Sequence, residues 1–197
     1  MKFLGLFLIL ILGGCSVKVP SVTNYKIKAD IKDRDIVANG CKNYSIKISK
    51  PFSPNYLGLK DMFYVVDGKK QLSYNQSMWA LSPKEMVLGE FEKMLKNSDL
   101  YGAVVDYKSR ANSDFVVEIS IDEFMQYYSK KLDKSYVSVS IGISLLDNST
   151  SKIISSKSFK YKVDTSVLSA DGGVDALGMA LGKVLDEIEQ DFVKRCK

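Results

Sequence analysis

The sequence predicts an α/β fold of the α+β type: a two-layer sandwich in which two amphipathic helices pack on one face of a mixed, largely antiparallel sheet. Three observations lead to this prediction. Several segments alternate apolar and polar residues, one helix has a full start signal, and a second helical stripe lies near the C terminus. With 46% apolar residues and 4 Pro in 197 residues, the composition is that of a globular protein with an intact core.

Short strands are predicted before the first helix. Residues 24–29 and 44–49 alternate apolar and polar side chains, which is typical of strands. Residues 62–66 and 71–74 flank Asp67-Gly68-Lys69-Lys70, which is a hairpin signal.

The first helix has a complete start signal. Ser82 can serve as the N-cap, Pro83 takes the first helical position and Glu85 the third, which together make a capping box. Apolar residues then recur at helical spacing, and Asn97-Ser98-Asp99 ends the helix.

A strand is predicted at 101–107, and three segments of period two follow it. Their apolar residues occupy alternate positions in 115–121, 137–145 and 159–163. The connections, 126–135 and 148–151, are polar and short. This pattern predicts an antiparallel meander with one buried face and one serine-rich, hydrated face.

The last element is predicted to be a helix with an apolar stripe from Val174 to Phe192. Acidic residues lie at its start and basic residues at its end, which the helix dipole favours. Gly178 and Gly182 allow a close approach of another element. Charged residues such as Lys183 exclude a membrane span, so we expect these glycines to pack on the sheet.

The N terminus has the form of a secretory signal. Residues 1–14 contain a basic start and an apolar run, Phe3–Leu12, that is shorter than the roughly 20 residues of a spanning helix. Leu12-Gly13-Gly14-Cys15 resembles a bacterial lipobox, in which Cys15 carries the acyl chains. The alternative is a plain signal peptide that happens to precede a cysteine.

This reading of the N terminus divides the chain into a signal peptide (1–14), a lipidated tether (15–23) and a single domain (24–197). Two or three acyl chains make a stable membrane anchor. Ser16, rather than Asp, follows Cys15. We therefore expect a lipid-anchored protein of the cell envelope, held at the outer membrane and facing the periplasm.

Two cysteines, Cys41 and Cys196, remain in the mature chain. In an oxidising periplasm an even number of cysteines suggests a disulfide. The bond would close a loop between residues near opposite ends of the mature chain. Two free thiols are the alternative.

The sequence argues against an enzyme. It has no His, which removes His-based triads, His zinc sites and His proton shuttles. It also has no Gly-x-Ser-x-Gly elbow and no phosphate loop. We expect no catalytic residue, no metal site and no cofactor besides the lipid on Cys15.

The net charge of +5 comes mainly from lysines that are spread along the chain. No arginine-rich run or aromatic-basic motif accompanies them, so no nucleic-acid partner is expected.

A candidate contact site lies just before the first helix, at residues 74–80, which contain the single Trp. Trp79 can be a core residue that closes the helix against the sheet. The other interpretation makes Tyr74 and Trp79 part of a lip that contacts a partner or an acyl chain.

The order of these features resembles the ABC-type transport auxiliary lipoprotein family, which includes the third component of the paraquat-inducible lipid transport system. The similar pieces, over residues 24–195, are Ile46-x-Ile48, Tyr74 with Trp79-Ala80, the capped helix, the meander and the last helix, behind a lipobox. The sequence departs from the family at Met78 and at Asp67-Gly68, where members commonly carry arginine.

The resemblance implies a non-catalytic lipoprotein subunit of an MCE/ABC-type phospholipid transport system. Such a subunit accompanies an ABC permease and ATPase and docks an MCE-domain protein. We expect docking through an edge strand or a helix face rather than a deep lipid pocket, because the apolar residues are all needed for a single core. The oligomeric state stays open, a homo-oligomer included.

Two other functions are compatible with these features. One is an outer-membrane assembly lipoprotein of the lipopolysaccharide-export type. The other is a direct lipid carrier, which would require a cavity inside the domain.

Overall fold

The computed structural model of the chain describes residues 21–31 and 38–197. The predicted signal peptide (1–14), Cys15 and most of the tether lie outside the described residues. Within them, an eight-stranded mixed sheet carries two helices on one face, which confirms the predicted architecture.

The elements follow one another in this order: β1 (Thr23–Tyr25), β2 (Ser45–Ile48), a 3-10 helix (Asn55–Gly58), β3 (Asp61–Val66), β4 (Lys70–Trp79), α1 (Pro83–Asn97), β5 (Ala103–Val105), β6 (Phe115–Tyr128), β7 (Ser135–Asp147), β8 (Lys152–Asp164) and α2 (Ala170–Arg195).

Strand β6 organises the sheet. On one side it pairs antiparallel with β7 along its whole length, and β7 pairs antiparallel with β8. On its other side two strands share it: β2 runs parallel to its first residues and β3 parallel to its last. β5 then extends the sheet from β2, and β4 followed by β1 extends it from β3.

Strand β6 extends further than the alternation predicts, because it contains a bulge. Its register with β7 shifts between Ile121 and Glu123. Buried positions therefore change from odd numbers, as at Ile119, to even numbers, as at Phe124 and Tyr128. The predicted connection 126–135 is wrong for this reason, and the actual turn between β6 and β7 covers 129–134.

Helix α1 begins as predicted. The Ser82 hydroxyl accepts a hydrogen bond from the Glu85 N–H, and the Glu85 carboxylate accepts one from the Ser82 N–H at 3.1 Å. Phe91 and Leu95 of this helix are fully buried in the core. Helix α2 begins at an N-cap, Ser169, whose hydroxyl accepts from the Gly172 N–H at 3.2 Å.

The glycines of α2 contact the N-terminal segment and not the sheet. Residues 26–31, which we call the strap, follow β1 and cross the two helices. The Ala29 N–H donates to Glu90 of α1 at 3.0 Å, and the Asp30 N–H donates to the Gly178 carbonyl at 3.3 Å. The expected packing of Gly178 and Gly182 on the sheet is therefore wrong. The strand predicted at 24–29 is shorter than expected, because only its first two residues pair with β4.

A disulfide joins Cys41, which precedes β2, to Cys196 at the end of α2. The two residues are 155 positions apart in the sequence. The Gly40 N–H also donates to the Cys196 carbonyl at 2.7 Å. These bonds fix the end of α2 to the segment just before β2.

Removing the disulfide should lower the free energy of unfolding by about 2–5 kcal/mol, because the unfolded chain then loses a long cross-link. The comparison is a double Cys41→Ala/Cys196→Ala variant with the wild type by thermal and urea denaturation. Reductant should lower the melting temperature of the wild type and leave that of the variant unchanged. A reductant-insensitive wild type would contradict the bonded state.

Gly182→Ala should destabilise the domain by about 1–3 kcal/mol, because a buried site without free space is overpacked. A Cβ at this position would lie 2.2 Å from the Asp30 carbonyl oxygen in the strap. The matched control is Gly89→Ala in α1, where no atom lies within 4 Å of the added Cβ. It should stabilise by about 1 kcal/mol through helix propensity. Equal effects in urea denaturation would show that the strap does not pack on α2.

Candidate functional site

Trp79 is a core residue. Its side chain is 4% exposed, and its ring lies 6.1 Å from that of Phe124 in β6. This position matches the core interpretation of the two that the sequence allowed. A partner or an acyl chain therefore does not reach the indole in this structure.

Tyr74 anchors a hydrogen-bond network between the sheet and the start of α2. Its hydroxyl donates to Gln126 Oε1 at 3.0 Å and accepts from the Tyr128 hydroxyl at 2.7 Å. Gln126 Nε2 donates in turn to Ser135 Oγ at 2.9 Å and to the Ser169 carbonyl at 3.2 Å. Burial and the bond to Tyr128 raise the pKa of Tyr74, so the hydroxyl stays protonated. The network fastens β4 to β6 and to the helix cap.

The interior next to Trp79 has no room for a lipid. The cavity between β6 and α2 measures about 10 Å³, enough for a single water molecule. Two larger depressions, of about 570 and 410 Å³, are open to solvent. Polar side chains such as Asp114 and Asp147 line the first, and Asn75 and Gln76 lie in the second.

The sheet face opposite the helices carries a cluster of aromatic and charged side chains. Tyr127 and Tyr136 stack across the β6–β7 pair with ring centroids 5.1 Å apart. The Tyr127 hydroxyl donates to Glu123 at 2.6 Å, and the Lys160 ammonium of β8 donates to the other carboxylate oxygen. The Lys162 ammonium lies 5.0 Å from the Tyr136 ring. We call these five residues the open-face cluster.

The charge state of the open-face cluster follows from its bonds. Burial by itself raises the pKa of Glu123, but the hydrogen bonds from Lys160 and Tyr127 outweigh it and hold the pKa below its ordinary value of 4.5. Burial and the bond to Glu123 raise the pKa of Tyr127. At neutral pH the Glu123 carboxylate is therefore ionised and the Tyr127 hydroxyl is neutral. The ion pair of Glu123 with Lys160 links β6 to β8.

Strand β8 is an edge of the sheet. Among the described residues it pairs only with β7, so one side of its 13 residues presents unpaired main-chain groups. Lys157 and Lys160 bond to Asp191 and Glu123, and lysines on an edge discourage indiscriminate strand pairing. At the start of the strand, Ile153 and Ile154 are 64% and 47% exposed.

The sequence reasoning identified β8 as a strand but missed both its edge position and the open-face cluster. A signal for the edge was present, since β8 carries four lysines and three serines in 13 residues. The cluster was hidden by the bulge, because alternation read through Asp122 places Glu123 and Tyr127 on the helix-covered face.

Residues 21–31 and 38–197 contain no group of three or more Cys, Asp or Glu side chains arranged to hold a metal ion. No helix in this part of the chain is both long and apolar enough to cross a membrane.

No family model and no curated protein matches the sequence. Solved structures do match the fold. A Xanthomonas campestris protein described under the family DUF330 aligns with a TM-score of 0.78 at 16% identity, over 88% of this chain and 95% of that one. A crystal structure of an uncharacterized protein aligns with a TM-score of 0.65 at 14% identity, over 87% and 98%. At these identities the similarity shows a shared fold.

A lipoprotein of Neisseria meningitidis aligns more weakly, with a TM-score of 0.44 at 17% identity over 74% of this chain and 98% of that one. Similarity at this level supports no statement about this chain.

Glu123→Gln should destabilise the domain by about 1 kcal/mol at pH 7, because it removes a charge-assisted hydrogen bond. A carboxylate whose pKa is lowered in the folded state stabilises above its unfolded pKa, and this contribution is lost as the pH falls through the folded value. The gap between wild type and variant should therefore be constant from pH 6 to 8 and shrink below about pH 4.5.

Urea denaturation at a series of pH values measures this gap. Glu187→Gln on the exposed side of α2 is the control, and we expect it to change little. A gap for Glu123→Gln that does not depend on pH would contradict the ionised, hydrogen-bonded state.

Proposed function

We propose that this protein is a non-catalytic lipoprotein subunit of an MCE/ABC-type phospholipid transport system. Acyl chains on Cys15 hold it at the outer membrane facing the periplasm, and it docks an MCE-domain protein that works with an ABC permease and ATPase. The lipobox and the resemblance to the ABC-type transport auxiliary lipoprotein family support this proposal.

The observation that carries the docking step is the free edge of β8. An extended segment of a partner can add to such an edge through main-chain hydrogen bonds, with side-chain contacts supplying specificity. Ile153 and Ile154 offer apolar surface at the start of this edge, away from Lys157 and Lys160. The partner strand therefore lies beside the first half of β8.

The helix side offers less to a partner. The outward residues of α2, among them Asp175, Lys183 and Glu187, are mostly charged, and the strap packs along Gly178 and Gly182. An interface core is depleted in charged residues. Of the two docking modes that the sequence left open, edge pairing is the one we propose.

The transported phospholipid passes outside this domain. The cavity of about 10 Å³ next to Trp79 is far below the several hundred Å³ of a typical ligand pocket. The larger depressions, of about 570 and 410 Å³, are open to solvent and partly lined by polar side chains. Together these features favour a docking subunit over a direct lipid carrier. Recovery of a phospholipid bound inside the purified domain would reverse that preference.

The test is to crosslink the lipidated protein in intact cells, with a photoreactive residue in place of Ile153, and to identify the partner. We expect an MCE-domain protein or its permease. Recovery of a β-barrel or of lipopolysaccharide machinery in its place would overturn the proposal in favour of an assembly lipoprotein.

Ile153→Asp tests the docking surface in the same cells. Because the side chain is 64% exposed, the free energy of unfolding should change by less than about 0.5 kcal/mol. Recovery of the MCE-domain protein should fall several-fold. Leu59→Asp is the matched control, since Leu59 is 49% exposed and lies away from β8. Equal recovery with both variants would exclude edge docking at Ile153.

A further inference from the structure

We infer that one end of the sheet is a bilayer-contact surface that binds anionic phospholipid head groups. The surface, which we call the turn end, consists of residues 67–70, the β6–β7 turn (129–134) and the loop before α2 (165–169). The inference rests on the proposed anchor at Cys15, and it adds to that anchor the orientation of the domain on the membrane.

The direction of β1 points the chain that precedes it toward this end. β1 pairs in parallel with β4, with Thr23 beside Ser77. The chain before Thr23 therefore leaves toward Lys70, where β4 begins at the turn end. The eight steps from Cys15 to Thr23 reach at most about 28 Å. The seven steps from Ser77 back to Lys70 span about 24 Å, so the tether is long enough for acyl chains in a bilayer to lie at the turn end.

The two turns are basic. Residues 67–70 and 129–134 together contain five lysines and two aspartates. Side chains of all five lysines are exposed, and none forms an ion pair with a described residue, unlike Lys157 and Lys160 on β8. Asp133 already accepts a hydrogen bond from Ser129 at 2.6 Å. Asp164 and Asp171 lie at the same end but outside the turns. Juxtamembrane lysines of this kind attract anionic lipid.

Leu132 supplies an independent observation. It lies in the β6–β7 turn between Lys131 and Asp133, is 53% exposed, and has a φ of 58°. That left-handed conformation suits Gly or Asn and disfavours a bulky side chain. Neither the backbone nor the core therefore accounts for a leucine here. Insertion into the interfacial layer of a bilayer would bury it.

The neighbouring loop extends the apolar surface. The Thr165 N–H donates to the Ser135 carbonyl at 3.0 Å, which holds the loop beside the β6–β7 turn. In this loop Val167 is 58% exposed and Leu168 46% exposed. Apolar tips surrounded by lysines are typical of segments that lie in the membrane interface.

The test uses the lipidated protein with a fluorophore at Leu132→Cys. With Cys41 and Cys196 bonded and Cys15 acylated, the introduced thiol is the one free thiol of the chain. The protein is reconstituted in phosphatidylcholine vesicles, with and without phosphatidylglycerol, that contain a nitroxide-bearing lipid. The matched control is Ile153→Cys, which is more exposed, equally apolar and at the opposite end of the meander.

We expect quenching at Leu132→Cys to exceed that at Ile153→Cys several-fold, to rise with phosphatidylglycerol and to fall with added NaCl. Lys130→Glu/Lys131→Glu should abolish the rise. Protein that floats with the vesicles but shows equal quenching at both positions overturns the bilayer-contact surface while leaving the anchor intact. Protein that does not float overturns the anchor at Cys15 and this inference with it.

Discussion

The pairing of β6 with its neighbours is the constraint on which the rest of the molecule depends. Three strands bond to β6 directly, and the helices pack over the face that β6 and β7 share. The bulge between Ile121 and Glu123 changes which residues of β6 face the helices. The first half of β6 buries valine and isoleucine under the helices, and its second half turns Glu123 and Tyr127 to the open face while it keeps Phe124 in the core.

The elements with strong local signals could be predicted from the sequence. The capping box at Ser82 and Glu85 fixes the start of α1 without help from the rest of the chain. The hairpin signal at Asp67-Gly68 corresponds to a turn with positive φ at both residues, which joins the pair Val66–Lys70 through a three-residue loop. The alternation of apolar and polar residues was sufficient to predict the meander, because its strands turn one face toward the same core.

What the sequence could not supply depends on contacts between distant segments. The strap follows β1 in the chain, but its register is set by Glu90 and Gly178, far away in sequence. The glycine pair on α2 correctly indicates a close approach, but the approaching element is a backbone segment and not the sheet. Of the predicted contact residues, Trp79 is in the core and Tyr74 is in an internal network, whereas the surface that we propose for docking lies on β8.

The proposed anchor, the turn end and the edge of β8 would together define an orientation. Acyl chains at Cys15 and a basic turn end would face the bilayer, and the start of β8 with Ile153 would lie at the far end of the meander, toward the periplasm. A partner strand could then pair with β8 without displacing the domain from the membrane. In this proposed arrangement, a short tether would keep the docking edge of β8 within reach of the proposed MCE-domain partner.

Amide hydrogen exchange on the complex with the crosslinked partner tests edge pairing most directly. If the partner adds a strand to β8, amides in the first half of Lys152–Asp164 should exchange several-fold more slowly in the complex than in the free protein, while the exposed side of α2 stays unchanged. Slower exchange along α2 with no change in β8 would contradict edge pairing and point to docking on the helices.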